Sequence, residues 1–203
     1  MRYQQLRKTV NLTMPKSVSI KKGLEFIGRN QAFIEQQLLK NTTGNSFADG
    51  SVIPVFGKHI IIKYIGGRGL TNLVGDELYI YGHSEFLAKK VKLWLLAKLK
   101  SEIIRSAEKF ATQLNVQHGK ITLRDTSSRW GSCSSNGNLS FSWRLIFAPY
   151  EVFNYVVAHE VAHIKEMNHS PAFWKCVESI CANWQGARSW LKKYGSSLYG
   201  YGV

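Results

Sequence analysis

One short stretch limits this chain more than any other: His159-Glu160-Val161-Ala162-His163. Residues four apart share a helix face. A helix here therefore turns both imidazoles toward one point, as the H-E-x-x-H pattern requires. The preceding run carries Val152, Phe153, Tyr155, Val156, Val157 and Ala158, so this helix is expected to be buried. Two histidines and a glutamate on a buried helix need partners, and a metal ion supplies one. Glu160 sits about 100° further round the helix. From there it can reach a water on the metal without being a ligand.

His169 follows His163 by six positions, beyond the expected helix end, and can return as a third ligand. Three protein ligands with one position left open describe a catalytic zinc site. Glu166 competes as the third ligand or joins as a fourth, and Cys133 is a further candidate. A three-imidazole set also suits nickel, cobalt or manganese. The H-E-x-x-H-x-x-G-x-x-H pattern has the same histidine spacing, but Glu166 stands at its glycine position. No methionine follows Met167, so the Met-turn of that class is ruled out. A left-handed Asn168 could make the turn instead.

With 203 residues, 44% hydrophobic and 12% aromatic, the chain can build a substantial core. The expected division is a β-rich region over 1–83 and a metal-binding region over 84–203, together one compact unit. No apolar run is long enough to span a bilayer. The first residues are basic but hold no signal-peptide core. Cys133, Cys176 and Cys181 form no C-x-x-C pair. They read as free thiols in a reducing compartment, the cytoplasm. Net charge is +14, from 27 Lys+Arg against 13 Asp+Glu. That balance favours anionic partners, although the lysines are scattered rather than in blocks.

In chain order, the alternation over Val10–Met14 and Val18–Ile20 predicts two strands joined at Pro15, ended by Gly23. Residues 24–40 carry helical spacing, and 41–46 are a polar loop. Strands are expected at 52–56, 59–65 and 78–81, with Pro54 on an edge. Gly66-Gly67-Arg68-Gly69 lacks the Walker lysine and reads as a turn. His59 and His83 read as structural, and His118 as a helix-exit residue. Ser84 is the expected N-cap of a helix to about Leu114. Its inward ladder is Val91, Leu95, Leu99, Ile103 and Ala107, and Lys90, Lys98, Arg105 and Lys109 lie on a solvated side.

Around the metal helix, Ile121 and Leu123 predict a strand and Asn136-Gly137 a hairpin turn. The alternation from Leu139 to Phe147 predicts a half-buried strand with one polar face. Pro149 suits the first turn of the metal helix. A strand beside such a helix is a place where a peptide can add a strand. Arg129 lies in the Trp/Gly/Ser-rich turn before the hairpin. It could meet substrate, stabilise a developing oxyanion or make a structural salt bridge. Ser170-Pro171 reads as N-cap and first residue of the next helix, with Phe173, Trp174, Val177 and Ile180 on its apolar side. From Gly195 onward a loose tail is expected.

Taken together, Arg129-Trp130-Gly131-Ser132-Cys133, Trp143-Arg144-Leu145, Ala148-Pro149, His159-Glu160-x-x-His163 and Asn168-His169-Ser170-Pro171-x-Phe173-Trp174 resemble the YgjP-like metallopeptidase family. The resemblance is close over about residues 84–195 and looser before them. Val161 stands where the family usually has leucine. It implies an α+β, zincin-like metallohydrolase, β-rich at its N-terminal part and helical at its C-terminal part. It further implies zinc on His159, His163 and His169, with Glu160 as catalytic base. Peptide or protein is then the expected substrate. A metal-dependent phosphohydrolase acting on nucleotides is the first rival, since the same chemistry can attack phosphorus. A nucleic-acid-binding module with a structural metal is the second.

Overall fold

The computed structural model describes residues 2–4, 9–15, 17–31, 46–126 and 128–202. The architecture is α+β. The N-terminal part holds β1 (Arg2–Gln4) paired with β2 (Thr9–Asn11), then α1 (Ile20–Arg29). A four-stranded sheet follows, made by β3 (Val52–Val55), β4 (Lys58–Tyr64), β5 (Asn72–Val74) and β6 (Glu77–Ile80) in the order β3-β4-β6-β5. The pair β4–β6 is parallel and the others are antiparallel. Pro54 sits on an edge strand, as its missing N–H requires.

A 3-10 turn, Ser84–Phe86, leads into the long helix α2 (Leu87–Leu114). Val91, Leu95, Leu99, Ile103 and Ala107 are all fully buried along its inner stripe. The outer charges are engaged: Glu102 pairs with Lys98 at 3.3 Å and Arg105 at 2.6 Å, and Lys90 donates to the Tyr81 carbonyl. Next come β7 (Ile121–Arg124), β8 (Gly131–Cys133) and β9 (Leu139–Ser142), in the order β7-β9-β8. Helices α3 (Tyr150–Lys165), α4 (Pro171–Ile180) and α5 (Trp184–Tyr194) complete the C-terminal part.

Helix α3 is the metal helix, and it is clamped from two sides. One side packs on α2 within a single apolar cluster, which includes Val157, Ala158 and Val161 from α3. The other clamp is the β3–β4 turn. Phe56 and Gly57 there have φ of 51° and 84°, as a tight two-residue hairpin demands. The Phe56 ring packs 4.8 Å from Phe153 and 5.7 Å from Tyr150. Among the described residues, no helix is long and apolar enough to cross a membrane.

Several sequence expectations are corrected. Ile20 opens a helix rather than belonging to a strand, because the Ser19 hydroxyl accepts from the Lys22 N–H and caps it. Gly23 is buried inside that helix, where an added Cβ would strike Met14. Most of the helical pattern expected over 24–40, and nearly all of the 41–46 loop, lies outside the described residues. Ser84 makes no side-chain cap. The expected strand to Phe147 stops at Ser142, and Trp143–Phe147 turn into a 3-10 helix. Two polar positions of that alternation, Ser142 and Arg144, are buried too, while Ser140 is half-buried. Arg144 is 2% exposed, held by Asp125 at 3.2 Å and by the carbonyls of Tyr199 and Tyr201.

Those carbonyls belong to the segment expected to be loose. Gly195–Gly200 instead form a 3-10 turn that packs back on the fold. Tyr199 stacks on Trp130 at 5.0 Å, and Tyr201 stacks on Phe147 at 4.6 Å. Burying Arg144 is tolerable because its guanidinium has both a carboxylate and carbonyl acceptors.

Candidate metal centre

His159 and His163 project from one face of α3, and their ring centroids lie 4.8 Å apart. The helix ends at Lys165, and Glu166 turns to an extended conformation. Asn168 is not left-handed, contrary to the sequence expectation. Its side-chain oxygen instead accepts from the Ser170 N–H at 3.3 Å. Ser170 then caps α4 by accepting from Phe173 N–H at 3.3 Å, with Pro171 in the first turn. This path returns His169 to the other two. Its ring lies 5.0 Å from His159 and 4.8 Å from His163.

One nitrogen from each histidine lies within 4.8 Å of the others. Among the described residues this is the one such cluster; Glu166 and Cys133 lie outside it. The Glu166 backbone has a different part, since its carbonyl sits 3.0 Å from His163 Nδ1. That contact fixes the proton on Nδ1 and leaves the Nε2 lone pair free. His159 Nε2 and His169 Nε2 face each other at 3.0 Å, while His159 Nδ1 is buried without a protein partner. Protein groups alone leave this ring unsatisfied. Burial, then the neighbouring His163 and His169, push its pKa down to about 3. Burial also lowers His163, opposed by the Glu166 carbonyl. Both shifts favour the neutral imidazole, the form that ligates a metal. The donor set fits a divalent transition metal with tetrahedral preference.

Beneath the cluster lies Phe173, fully buried. Its ring is 4.9 Å from His159, 4.5 Å from His163 and 4.8 Å from His169. Trp174 is half-buried at the side, stacked on Trp184 at 4.5 Å. Arg188 lies over the Trp174 ring at 4.9 Å and adds to the depression of His159.

Glu160 is 6% exposed, and burial raises its pKa to about 8, with Arg129 pulling the other way. The charge of a bound divalent cation would oppose the burial effect. Glu160 packs directly on β8. A Cβ at Gly131 would come within 2.6 Å of its Cγ and Oε1. Glycine is therefore required for β8 to lie this close. Arg129 itself is exposed, and among the described residues it makes no salt bridge. His59, His83 and His118 stand apart from the cluster.

The family model described as YgjP-like, metallopeptidase domain, matches residues 4–194. The chain belongs to this family. Membership makes the YgjP-like chain a metallopeptidase-type hydrolase and implies a divalent metal and a peptide or protein substrate. No curated protein matches the chain. A solved structure, the metallopeptidase zymogen of Pyrococcus abyssi abylysin, matches at 23% identity and a TM-score of 0.39. That match covers 44% of this chain and 93% of abylysin.

All four residues that meet here stand out in the sequence, and so does the anchor Phe173, whereas the positioning role of Gly131 does not. Phe173 is expected from the sequence to anchor the helix after His169 against the core, and the structure adds its contact with all three imidazoles. Gly131 carried a usable signal, since an isolated glycine in a strand often marks close approach.

Proposed function

We propose that the chain is a zinc peptidase in which His159, His163 and His169 hold the metal and Glu160 is the general base. The carrying observation is the convergence of three imidazole nitrogens within 4.8 Å beside one buried carboxylate. A zinc ion bound there would polarise the scissile carbonyl and acidify a water. Glu160 accepts the proton of the attacking water and delivers it to the leaving amine. Arg129 offers positive charge beside Glu160 as the carbonyl oxygen becomes negative.

Peptide is presented by β8. Ser142 N–H donates to the Trp130 carbonyl at 2.8 Å, and Ser134 N–H donates to the Asn138 carbonyl at 2.9 Å. With Ser132 opposite Ser140, even-numbered residues of β8 face β9. Gly131 and Cys133 therefore turn their N–H and C=O groups to the other edge. Among the described residues no strand pairs there, so an extended peptide can add to it.

The test is cleavage of an unfolded protein by the metal-loaded chain. Activity should vanish with a chelator and in His159→Ala, and return with zinc in the wild type alone. Chelator-resistant cleavage would remove this site from the reaction. The nucleotide reading is supported by the positive charge of Arg129 acting on Glu160. Pyrophosphate or phosphate release from nucleoside triphosphates, with no peptide cleavage, would decide for it. A purely structural metal would leave a buried carboxylate beside the histidines with no task.

The ligand set has its own check. His169→Ala should weaken zinc markedly while the fold persists, since His163 and His159 stay fixed on α3. Glu166→Ala should leave zinc affinity nearly unchanged, because the Glu166 contact to His163 is made by its backbone. Side-by-side zinc titrations in which only the Glu166 variant weakens would exchange the two roles.

A further inference from the structure

A cleft of about 810 Å³ opens over β7, β8 and β9. It is lined by none of the three histidines, and it meets the candidate centre at Arg129 and Gly131. Its charged lining is Lys120, Arg124 and Arg129, all exposed. Most of the remainder is hydroxyl or amide, such as Ser132, Ser140 and Asn138, and no carboxylate lines it. The one acidic residue between 120 and 142 is Asp125, which is committed to Arg144 at 3.2 Å. Among the described residues none of the three cations makes a salt bridge. The cleft is thus a surface of one sign, continuous with the open strand edge.

We propose that this cleft binds the acidic side chains of an extended polypeptide substrate, so that the enzyme selects segments carrying aspartate or glutamate. The proposal rests on the peptidase reading, since β8 forms both the peptide edge and a wall of the cleft. Single-stranded nucleic acid would need free aromatic faces for its bases. The cleft offers none: Phe141 is buried, and Trp130 is stacked on Tyr199. A peptide needs no such faces. It takes backbone hydrogen bonds from Gly131 and Cys133 while its carboxylates reach Arg129, Arg124 and Lys120. Selection of this kind comes from charge complementarity, which also suppresses basic segments.

Binding is measured on the full-length, zinc-loaded Glu160→Gln protein, so that no turnover intervenes. The probes are a labelled acidic peptide and its isostere with Asn and Gln in place of Asp and Glu. Exposed ion pairs are individually weak, so a few together should favour the acidic peptide about tenfold at low salt. The gap should close at high salt. It should vanish in Lys120→Gln/Arg124→Gln and persist in the charge-keeping Lys120→Arg/Arg124→Lys. Wild-type kcat/KM on the same two peptides should show the same preference.

Equal affinity for the two peptides overturns the proposal, as does a preference that survives Lys120→Gln/Arg124→Gln. A single-stranded oligodeoxynucleotide of equal charge that binds more tightly than the acidic peptide also overturns it, assigning the cleft to nucleic acid. Cleavage of both peptides without preference sinks the cleft and leaves the peptidase reading standing. A binding preference with no cleavage of either peptide upholds the cleft and sinks the peptidase reading.

Discussion

Replacing Glu160 by glutamine should leave zinc bound and the fold intact, yet reduce peptide cleavage about 10²- to 10⁴-fold, the usual contribution of a general acid–base group. The amide matches the carboxyl in shape but cannot take the proton of the water. The fold should accept it readily, because burial already favours an uncharged carboxyl at this position. Gly131 leaves room for either side chain. The measurements are zinc stoichiometry by elemental analysis, a denaturant melt and kcat on an unfolded protein substrate. Wild-type turnover with zinc in place would move the base elsewhere. Loss of zinc together with activity would make Glu160 a ligand rather than a base.

The second large effect belongs to a residue with no chemistry of its own. Phe173→Ala should destabilise the protein by about 3–5 kcal/mol, as expected for removing a fully buried phenylalanine ring. It should also weaken zinc by about 10- to 100-fold, the range seen when support around a metal site is lost. The ring contacts all three imidazoles, with the closest centroid separation at 4.5 Å from His163. Without it, His169 loses its floor, and the turn through Asn168 no longer aims it. Trp174→Ala should do less on both counts, since Trp174 is half-buried and leans on Trp184. Chemical denaturation in the presence of chelator isolates the packing effect, and a zinc titration measures the other. Unchanged zinc affinity in Phe173→Ala would reduce the ring to ordinary core packing.

The sequence by itself determined the features whose causes lie within a few residues of one another. His159 and His163 share a face because the helical repeat brings i and i+4 together. Ser170-Pro171 starts α4 because a hydroxyl acceptor and a fixed φ suit a first turn. Asn136-Gly137 marks the β8–β9 turn, with Gly137 at a φ of 70°. The α2 ladder emerged whole, since its period was unbroken over five residues.

Tertiary structure decided the rest, for a consistent physical reason: the deciding partner is far along the chain. Arg144 reads as a strand's solvent side, yet Asp125 and the carbonyls of Tyr199 and Tyr201 make its burial tolerable. No window around Arg144 contains those acceptors. The same contacts explain why Gly195–Gly200 is packed although its composition resembles a free tail. Residues 143–147 continue the alternation of a strand, but Arg144, their one polar residue, is buried as well, so the pattern loses its meaning. Glu160 shows both sides of the division. Its place next to His159 is local and was legible. Its burial against Gly131, and the pKa of about 8 that follows, exist because β8 folds back across α3.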